Sequence, residues 1–456
     1  MTTPAHVAVI DIGKTNAKLA LVDMAGPVEI AVATQPNLVR PGPPWPHFNL
    51  DGLWSFVLDG LQRLHKHHGV DAIAVTTHGA SIVLLSGTGE LAAPMLDYEH
   101  DGPGQLADAY DALRPAFAQT GSPRLPGGLN VGAQLHWMFA VDPGLKQTTA
   151  TILTYPQYWG HRLTGEIASD VCSLGCHTDL WQPRAGVFSS LCDTLDITRK
   201  MAPARKPMET LGTLRPDIAA ATGIPRTVPV SVGIHDSNAS LLPHLLASPP
   251  PFAVVSTGTW VISLAVGAHT EALDPARDTL INVDAFGNPV PSARFMGGRE
   301  FDLVRANDNT AIRPEAMQRV LEDGVFLLPS VVPASGPFQG RRHRWINPSA
   351  DPAVHNAALG FYLGLMSLEG LALLNHAGPI VVEGPLGRND AFLEALAGAS
   401  GAPISVTENT TGTSIGASLL AGQPPGLTDN RSVLAPKLNA NAVRDYAAAW
   451  RAAHQL

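Results

Sequence analysis

Two short strand–glycine–strand units, 245 residues apart, constrain this chain more than any other feature. The first runs from Val7 to Asp11, breaks at Ile12-Gly13-Lys14-Thr15-Asn16 and resumes from Ala17 to Asp23. The second runs from Phe252 to Ser256, breaks at Thr257-Gly258-Thr259 and resumes from Trp260 to Val266. Short apolar runs bounded by glycine turns read as buried strands. A hairpin that returns after about half of 456 residues predicts two domains on one plan, facing each other. The length agrees, since it exceeds what a single hydrophobic core serves.

Between the hairpins, Leu53, Phe56, Val57, Leu61 and Leu64 recur at helical spacing, with Asp59, Arg63 and Lys66 off that stripe. Ala72 to Thr77 predicts a strand ending at His78-Gly79. Val228 to Ile234 predicts another, ending at His235-Asp236 before a helix from Ala239 to Leu246. Pro249-Pro250-Pro251 marks a stiff linker, which sets a boundary within 238–251 and domains at 1–240 and 241–456. Downstream, Ala357 to His376 is apolar almost all round, with Gly360 and Gly364 one turn apart, as in a buried helix that a neighbouring backbone approaches. Ile380 to Glu383 reads as a strand leading into Gly384-Pro385-Leu386-Gly387-Arg388-Asn389, before a helix from Ala391 to Ala399. Strands alternating with helices imply an α/β fold.

Charge excludes some partners. Lys and Arg number 30 against 39 Asp and Glu, a net charge of −9. Nucleic acid and anionic membranes both require basic patches, so neither is expected as a partner. The densest basic cluster, Arg341, Arg342, His343 and Arg344, reads as a solvated loop or a local phosphate contact. Three cysteines, Cys172, Cys176 and Cys192, suggest a reducing compartment and buried thiols rather than disulfides or a zinc site. The sequence shows no cationic-then-apolar leader and no run of about 18 uninterrupted apolar residues. A cytoplasmic location is expected.

The hairpin turns carry the first chemical signal. A glycine turn offers several backbone N–H groups to clustered negative charge. Gly13 permits the turn, while Lys14, Thr15 and Asn16 add side-chain donors. Asp11, at the strand end, suits a hydrated Mg²⁺, which needs only one or two carboxylates. Gly13-Lys14-Thr15 is not the end of a Walker A loop, because Ala8 stands where that motif needs glycine. Thr257, Gly258 and Thr259 form a second phosphate-type turn, and two such turns can embrace a triphosphate. Asp236, at a strand end and helix start, suits either a catalytic base or a plain helix cap. The Gly384 loop, with Pro385 and Asn389, could admit a flat base or simply join strand to helix. Gly412 and Gly416, within Asn409-Thr-Thr-Gly-Thr-Ser-Ile-Gly, fit a helix packed tightly beside a nucleotide.

In this order the pieces resemble the FGGY family of carbohydrate kinases, within the actin-like ATPase superfamily. The resemblance spans roughly residues 7 to 422. It rests on Asp11-Ile-Gly-Lys-Thr, Leu163-Thr-Gly-Glu166 followed by Asp170, Gly233-Ile-His-Asp236 and Ser256-Thr-Gly-Thr-Trp260. Glu369-Gly-Leu-Ala372, the Gly384 loop and the Gly412–Gly416 helix complete it. It implies two ribonuclease-H-like domains with a central cleft, sugar bound mainly by the first, ATP mainly by the second, and closure around both, with Mg²⁺ accompanying the ATP. It also implies Asp236 as the base that accepts the sugar hydroxyl's proton. His235-Asp236 and Ser256 to Trp260 look most like the rhamnulokinase and fuculokinase branch. The departures fall at the expected sugar pocket. Rhamnulokinases show Asp near Ser81 and Arg-Asp where this chain has Tyr98-Glu99, and Gln134 replaces the lysine of the family's Lys-x-x-Trp signature.

The expected sugar contacts are His78, Gly79, Tyr98, Glu99 and His235. His78 reads equally as a satisfied buried histidine, and His235 as a neighbour that orients Asp236. Tyr155-Pro-Gln-Tyr-Trp159 reads as core. The substrate expected is a small ketose, deoxy-ketose or polyol, and a homodimer is compatible with the sequence. The rival reading is a nucleotide-binding regulatory protein on the same fold with impaired catalysis.

Overall fold

The recurrent hairpins each seed a sheet of the same design. The computed structural model describes residues 3–269, 273–306, 308–407, 412–424 and 431–455. The chain divides into two units: Met1–Ala247 with Ile281–Pro289 and Thr411–Thr428, and Ser248–Leu280 with Val290–Thr410 and Asp429–Leu456.

In the first unit His6–Ile12 pairs antiparallel with Asn16–Asp23, which pairs antiparallel with Val28–Pro36. On its other side His6–Ile12 runs parallel to Ala72–Thr77, which runs parallel to Pro229–Ser231. The second unit repeats the plan. Phe252–Thr257 pairs antiparallel with Val261–Val266, and that strand with Pro289–Phe295. Phe252–Thr257 also runs parallel to Ile380–Glu383, which runs parallel to Ile404–Thr407. This is the ribonuclease-H-like arrangement, present twice. Its cause is plain in the sequence: both central strands are apolar on both faces, so each must be covered on both sides.

One expected strand splits. Val228 to Ile234 forms two short pieces, Pro229–Ser231 and Ile234–His235, both parallel to Ala72–Thr77. Gly233 interrupts them at φ +98°, a conformation that a side chain would disfavour.

The helix Leu50–His68 buries Leu53, Val57, Leu61 and Leu64 and leaves Asp59, Arg63 and Lys66 exposed, while Phe56 is half-buried. Asn49 caps its start by accepting from Gly52 N–H. The long apolar helix spans Pro352–Leu373, earlier than its apolar run suggested, because Asp351 and Pro352 supply an N-cap and first-turn proline. It is long and apolar enough to cross a membrane, yet 83% of its most apolar window is buried in the unit's own core. At Gly360 and Gly364 a β-carbon would fall 2.7 Å from Ala391 and Ala395, so these glycines let the helix Asp390–Ser400 lie against it.

Several motifs turn out to serve the scaffold. Leu163-Thr-Gly-Glu166 ends the helix Tyr155–Thr164, with Gly165 as a left-handed cap. Asp170 then caps the next turn through Ser173 N–H at 2.9 Å. Tyr155, Tyr158 and Trp159 are core residues, as expected. The cysteines are free and buried. Of the basic cluster, Arg341 and Arg344 donate to the His454 and Ala453 carbonyls at the end of the last helix.

Candidate active site

Three parallel strands of the first unit end along one edge and deliver their next residues there, the usual location of function in such sheets. His6–Ile12 carries Asp11 at its end, Ala72–Thr77 leads to His78, and Ile234–His235 leads to Asp236. His78 N–H donates to the Ile12 carbonyl at 2.9 Å, and His235 stands in register with Thr77.

Asp236 opens the helix Asp236–Ala247. Its Oδ1 accepts from Ser237 N–H at 2.7 Å and lies 3.1 Å from His235 Nε2. Its other oxygen receives no hydrogen bond from any described residue. The side chain is one-third exposed. One oxygen is thus engaged at the helix start, and the other is left unengaged by the described residues.

His78 is buried among Phe48, Tyr98 and Tyr155, with ring centroids 5.1, 5.4 and 5.1 Å away. Burial pushes its pKa down to about 4, so the ring is neutral. Nδ1 lies 3.0 Å from the Gly79 carbonyl oxygen, which puts the proton on Nδ1 and leaves Nε2 as an acceptor with no partner. The family departures gather around this ring. Ser81 Oγ is 3.2 Å from Nδ1, Tyr98 lies edge-on, and Gln134 donates to the Ala80 and Gly128 carbonyls at 2.7 and 2.5 Å. Ala80 is held at φ +53°, so Gln134 braces a strained turn beside His78.

Asp11 Oδ2 accepts from Ser414 Oγ at 3.3 Å and lies 3.7 Å from Lys18 Nζ. Burial raises its pKa to about 6 against the pull of Lys18, with Asp236 adding to the rise. A half-buried carboxylate at a strand end, its second oxygen bonded by no described residue, fits a hydrated Mg²⁺. Among the described residues no group of three His, Cys, Asp or Glu could hold a metal ion.

The first glycine turn closes through Gly13 N–H to the Asn16 carbonyl at 2.9 Å, leaving Thr15 and Asn16 exposed. Asn37, buried and not anticipated, secures it: its amide donates to Gly13 O at 2.8 Å and its backbone N–H to Thr15 O at 2.9 Å. Lys14 departs from expectation. Its ammonium does not extend from the turn as a phosphate donor; it pairs with Asp97 and Glu99, the latter at 3.3 Å. It lies 4.9 and 4.8 Å from the Phe48 and Tyr98 ring centres. Two carboxylates and two π-faces outcompete the turn for the charge. Lys14 thus joins Tyr98 and Glu99, and Asp97 is a partner that the sequence reading missed.

The second unit holds its own cavity of about 710 Å³, lined by Thr257, Gly258, Thr259, Pro385 and Asn389 among others. Gly258 N–H donates to Trp260 O at 2.9 Å, a closure one residue tighter than the one at Gly13. Gly384 does not line the cavity. At φ +86° a β-carbon there would meet the Thr257 carbonyl at 2.0 Å, so it positions the loop against the turn. Asn389 spends its oxygen on capping the helix Asp390–Ser400 through Phe392 N–H at 3.1 Å, which leaves only its amide N–H₂ for a ligand. The helix Gly297–Arg305 supplies Gly298, Phe301, Asp302 and Arg305 to the lining, unforeseen although Gly297-Gly298 before an amphipathic run was a signal. A β-carbon on Gly298 would lie 2.0 Å from the Gly258 carbonyl oxygen.

The helix Thr413–Ser418 packs against Asp236–Ala247, with Gly416 directly over Ala239. Asn409, Thr410 and Thr411 of that motif lie outside the described residues.

Comparison with known proteins gives concordant matches. Residues 6–243 match the N-terminal domain of the FGGY family of carbohydrate kinases, and 249–429 match a carbohydrate kinase FGGY C-terminal domain. The structure of a carbohydrate kinase from Novosphingobium aromaticivorans is 35% identical, with a TM-score of 0.92, covering 100% of this chain and 99% of that one. L-fuculokinase of Escherichia coli (strain K12) is 25% identical over 71% of this chain and 70% of its own. Xylulose kinase of the same organism is 26% identical over 50% of this chain and 48% of its own.

Proposed function

The chain belongs to the FGGY family of carbohydrate kinases and transfers a phosphoryl group from ATP to a sugar; from that premise we propose that Asp236 is the general base and that the acceptor is a small neutral ketose, deoxy-ketose or polyol. The observation that carries the base assignment is the division of labour at Asp236. One oxygen is held by Ser237 and His235, and the other, bonded by no described residue, lies at the edge that also bears His78 and Asp11. Phosphoryl transfer asks the protein mainly for position and charge, plus a carboxylate to receive the hydroxyl's proton.

In this reading the first unit binds the acceptor. His78 Nε2 accepts from a sugar hydroxyl, Gly79 leaves room at the strand end, and Tyr98, Glu99 and the Lys14 ammonium frame the pocket. Neutral acceptors are favoured because the nearby cations are committed: Lys14 to Asp97 and Glu99, Lys18 to Glu29 and Asp11, His235 to Asp236. An anionic sugar would meet the carboxylates of Asp11, Asp97, Glu99 and Asp236. Relatives named L-fuculokinase and xylulose kinase support a ketose.

The nucleotide is assigned to the second unit. Gly258 lets phosphate approach the turn, Thr259 beside it offers backbone and hydroxyl donors, Thr257 anchors the turn through its hydroxyl to the Glu383 carbonyl, and the cavity beside Pro385 and Asn389 takes the base. In the first unit's turn, Gly13 permits the bend and the exposed Thr15 and Asn16 offer further phosphate donors. Asp11 would hold Mg²⁺, which neutralises phosphate charge when bound. Asp236 then takes the hydroxyl proton as the sugar oxygen attacks the terminal phosphorus, and the bond to the ADP leaving group breaks.

A panel of neutral ketoses, aldoses, polyols and aldonates, scored by acceptor-dependent ADP release, tests the substrate class. A neutral ketose or polyol should stimulate release most. Stimulation by aldonates alone would refute the neutral-acceptor reading.

A further inference from the structure

We propose that His235 is a positioning residue for transfer: its doubly protonated ring, steered by Asn238, donates to Asp236 Oδ1 and reserves the other oxygen for the acceptor's proton. The inference rests on Asp236 being the base.

The argument starts at Asn238. Its Nδ2 donates to the Val283 carbonyl at 2.6 Å, which turns its Oδ1 toward His235 Nδ1 at 2.8 Å. An amide oxygen only accepts, so Nδ1 carries a proton. The opposite nitrogen, Nε2, lies 3.1 Å from Asp236 Oδ1. A bare ring nitrogen and a carboxylate oxygen would repel at that distance. A proton therefore stands between them, and the ring is an imidazolium whenever Asp236 is ionised. The ring is largely shut off from solvent, with His235 6% exposed. Gly79 closes the remaining approach, since a β-carbon there would fall 2.6 Å from Nε2.

The groups facing the ring are Asp236, Cys176 with Sγ 3.8 Å from Nε2, His177 behind that thiol, Asp170, and His78. Burial pulls the ring's pKa down, but Cys176 and Asp236 outweigh it and hold it up at about 10. Against its own burial, Cys176 is held well below the usual thiol range by His177 and His235, and so as a thiolate. The folded-state value lies above that of a free histidine. The charge is thus complete through neutral pH, and the donation fades as pH rises through about 10.

The consequence is geometric. Oδ1 is fixed twice, by Ser237 N–H and by Nε2–H, so the carboxylate cannot rotate. The acceptor's O–H bond breaks toward Oδ2 while its oxygen bonds to phosphorus.

Two measurements on the intact protein decide the matter. The first is nitrogen NMR of histidine-labelled enzyme, which needs no substrate. At about pH 8 one histidine should remain doubly protonated. Its signal should be missing in His235→Gln, and its titration should move to lower pH in Asp236→Asn. A neutral His235 at that pH overturns the proposal. The second is kinetics with fuculose and xylulose, the ketoses in the relatives' names. His235→Gln keeps a fixed donor near Nε2, so kcat should stay within about tenfold and lose any fall near pH 10. His235→Phe should lose kcat by about 100-fold with KM changed less than about threefold. Where the Phe variant fails to fold, the Gln profile and the NMR titration stand alone. Wild-type kcat and alkaline behaviour in both variants, with Asp236→Asn inactive, would sink this inference and spare the base. Wild-type turnover in Asp236→Asn would sink both.

Discussion

Gly416 lies so close to Ala239 that a β-carbon on it would fall 1.8 Å from the Ala239 carbonyl oxygen. Ala239 belongs to the first turn of the helix that Asp236 opens, so this contact between two backbones sets the height of the proposed base. The obstacle is main chain and cannot swing aside. Gly416→Val should therefore lower the melting temperature, with a cost of about 3 kcal/mol, and reduce kcat more than KM. Chemical denaturation and steady-state kinetics check it. An unchanged melting point would show that the helices part without penalty.

Gly298→Ala makes the parallel test in the second unit. Helix propensity alone would stabilise by up to about 1 kcal/mol. The new methyl, however, meets the Gly258 carbonyl at 2.0 Å and must displace the turn. ATP affinity by calorimetry should fall about tenfold or more. Unaltered affinity would separate this turn from the nucleotide.

Asn389→Ala removes the cap of Asp390–Ser400 and should cost about 1 kcal/mol of stability. Asn389→Asp keeps the capping oxygen and should restore stability. If the amide N–H₂ also serves the base, Asp will leave ATP affinity lowered while the melting temperature recovers.

How much of this was legible beforehand differs between fold and site. The hairpins around Gly13 and Gly258 were readable because apolar runs and turn glycines are local signals. Asp236 at the end of its strand was readable for the same reason. The return of Ile281–Pro289 and Thr411–Thr428 to the first unit was not, because it depends on distant contacts such as Asn238 with Val283 and Gly416 with Ala239. Lys14 misled for a physical reason: a lysine beside a turn glycine resembles a phosphate donor until Asp97 and Glu99, over 80 residues later, are seen to take its charge. Gln134 looked like a lost lysine and proves to be a brace for Ala80.

Glu300 offers a pH test away from the chemistry. It is fully buried, accepts from Val332 N–H at 2.9 Å and Tyr362 OH at 2.8 Å, and burial raises its pKa to about 7. A carboxyl with a raised folded-state pKa binds its proton more tightly folded than unfolded. Its stabilising share is complete below the unfolded value and lost as pH rises through about 7. Glu300→Gln, neutral at every pH, should melt higher than wild type at about pH 8 and converge with it near pH 5, by at most ~3 kcal/mol. Parallel curves across that range would contradict the assignment.

The central claim is that Asp236 takes the acceptor's proton, and Asp236→Asn tests it most directly. The amide keeps the size and the helix-capping oxygen but cannot accept the proton. With a sugar that the wild type phosphorylates, turnover should fall by about 10²- to 10⁴-fold while the ATP Kd from calorimetry stays within about twofold. Wild-type turnover in that variant would contradict the account.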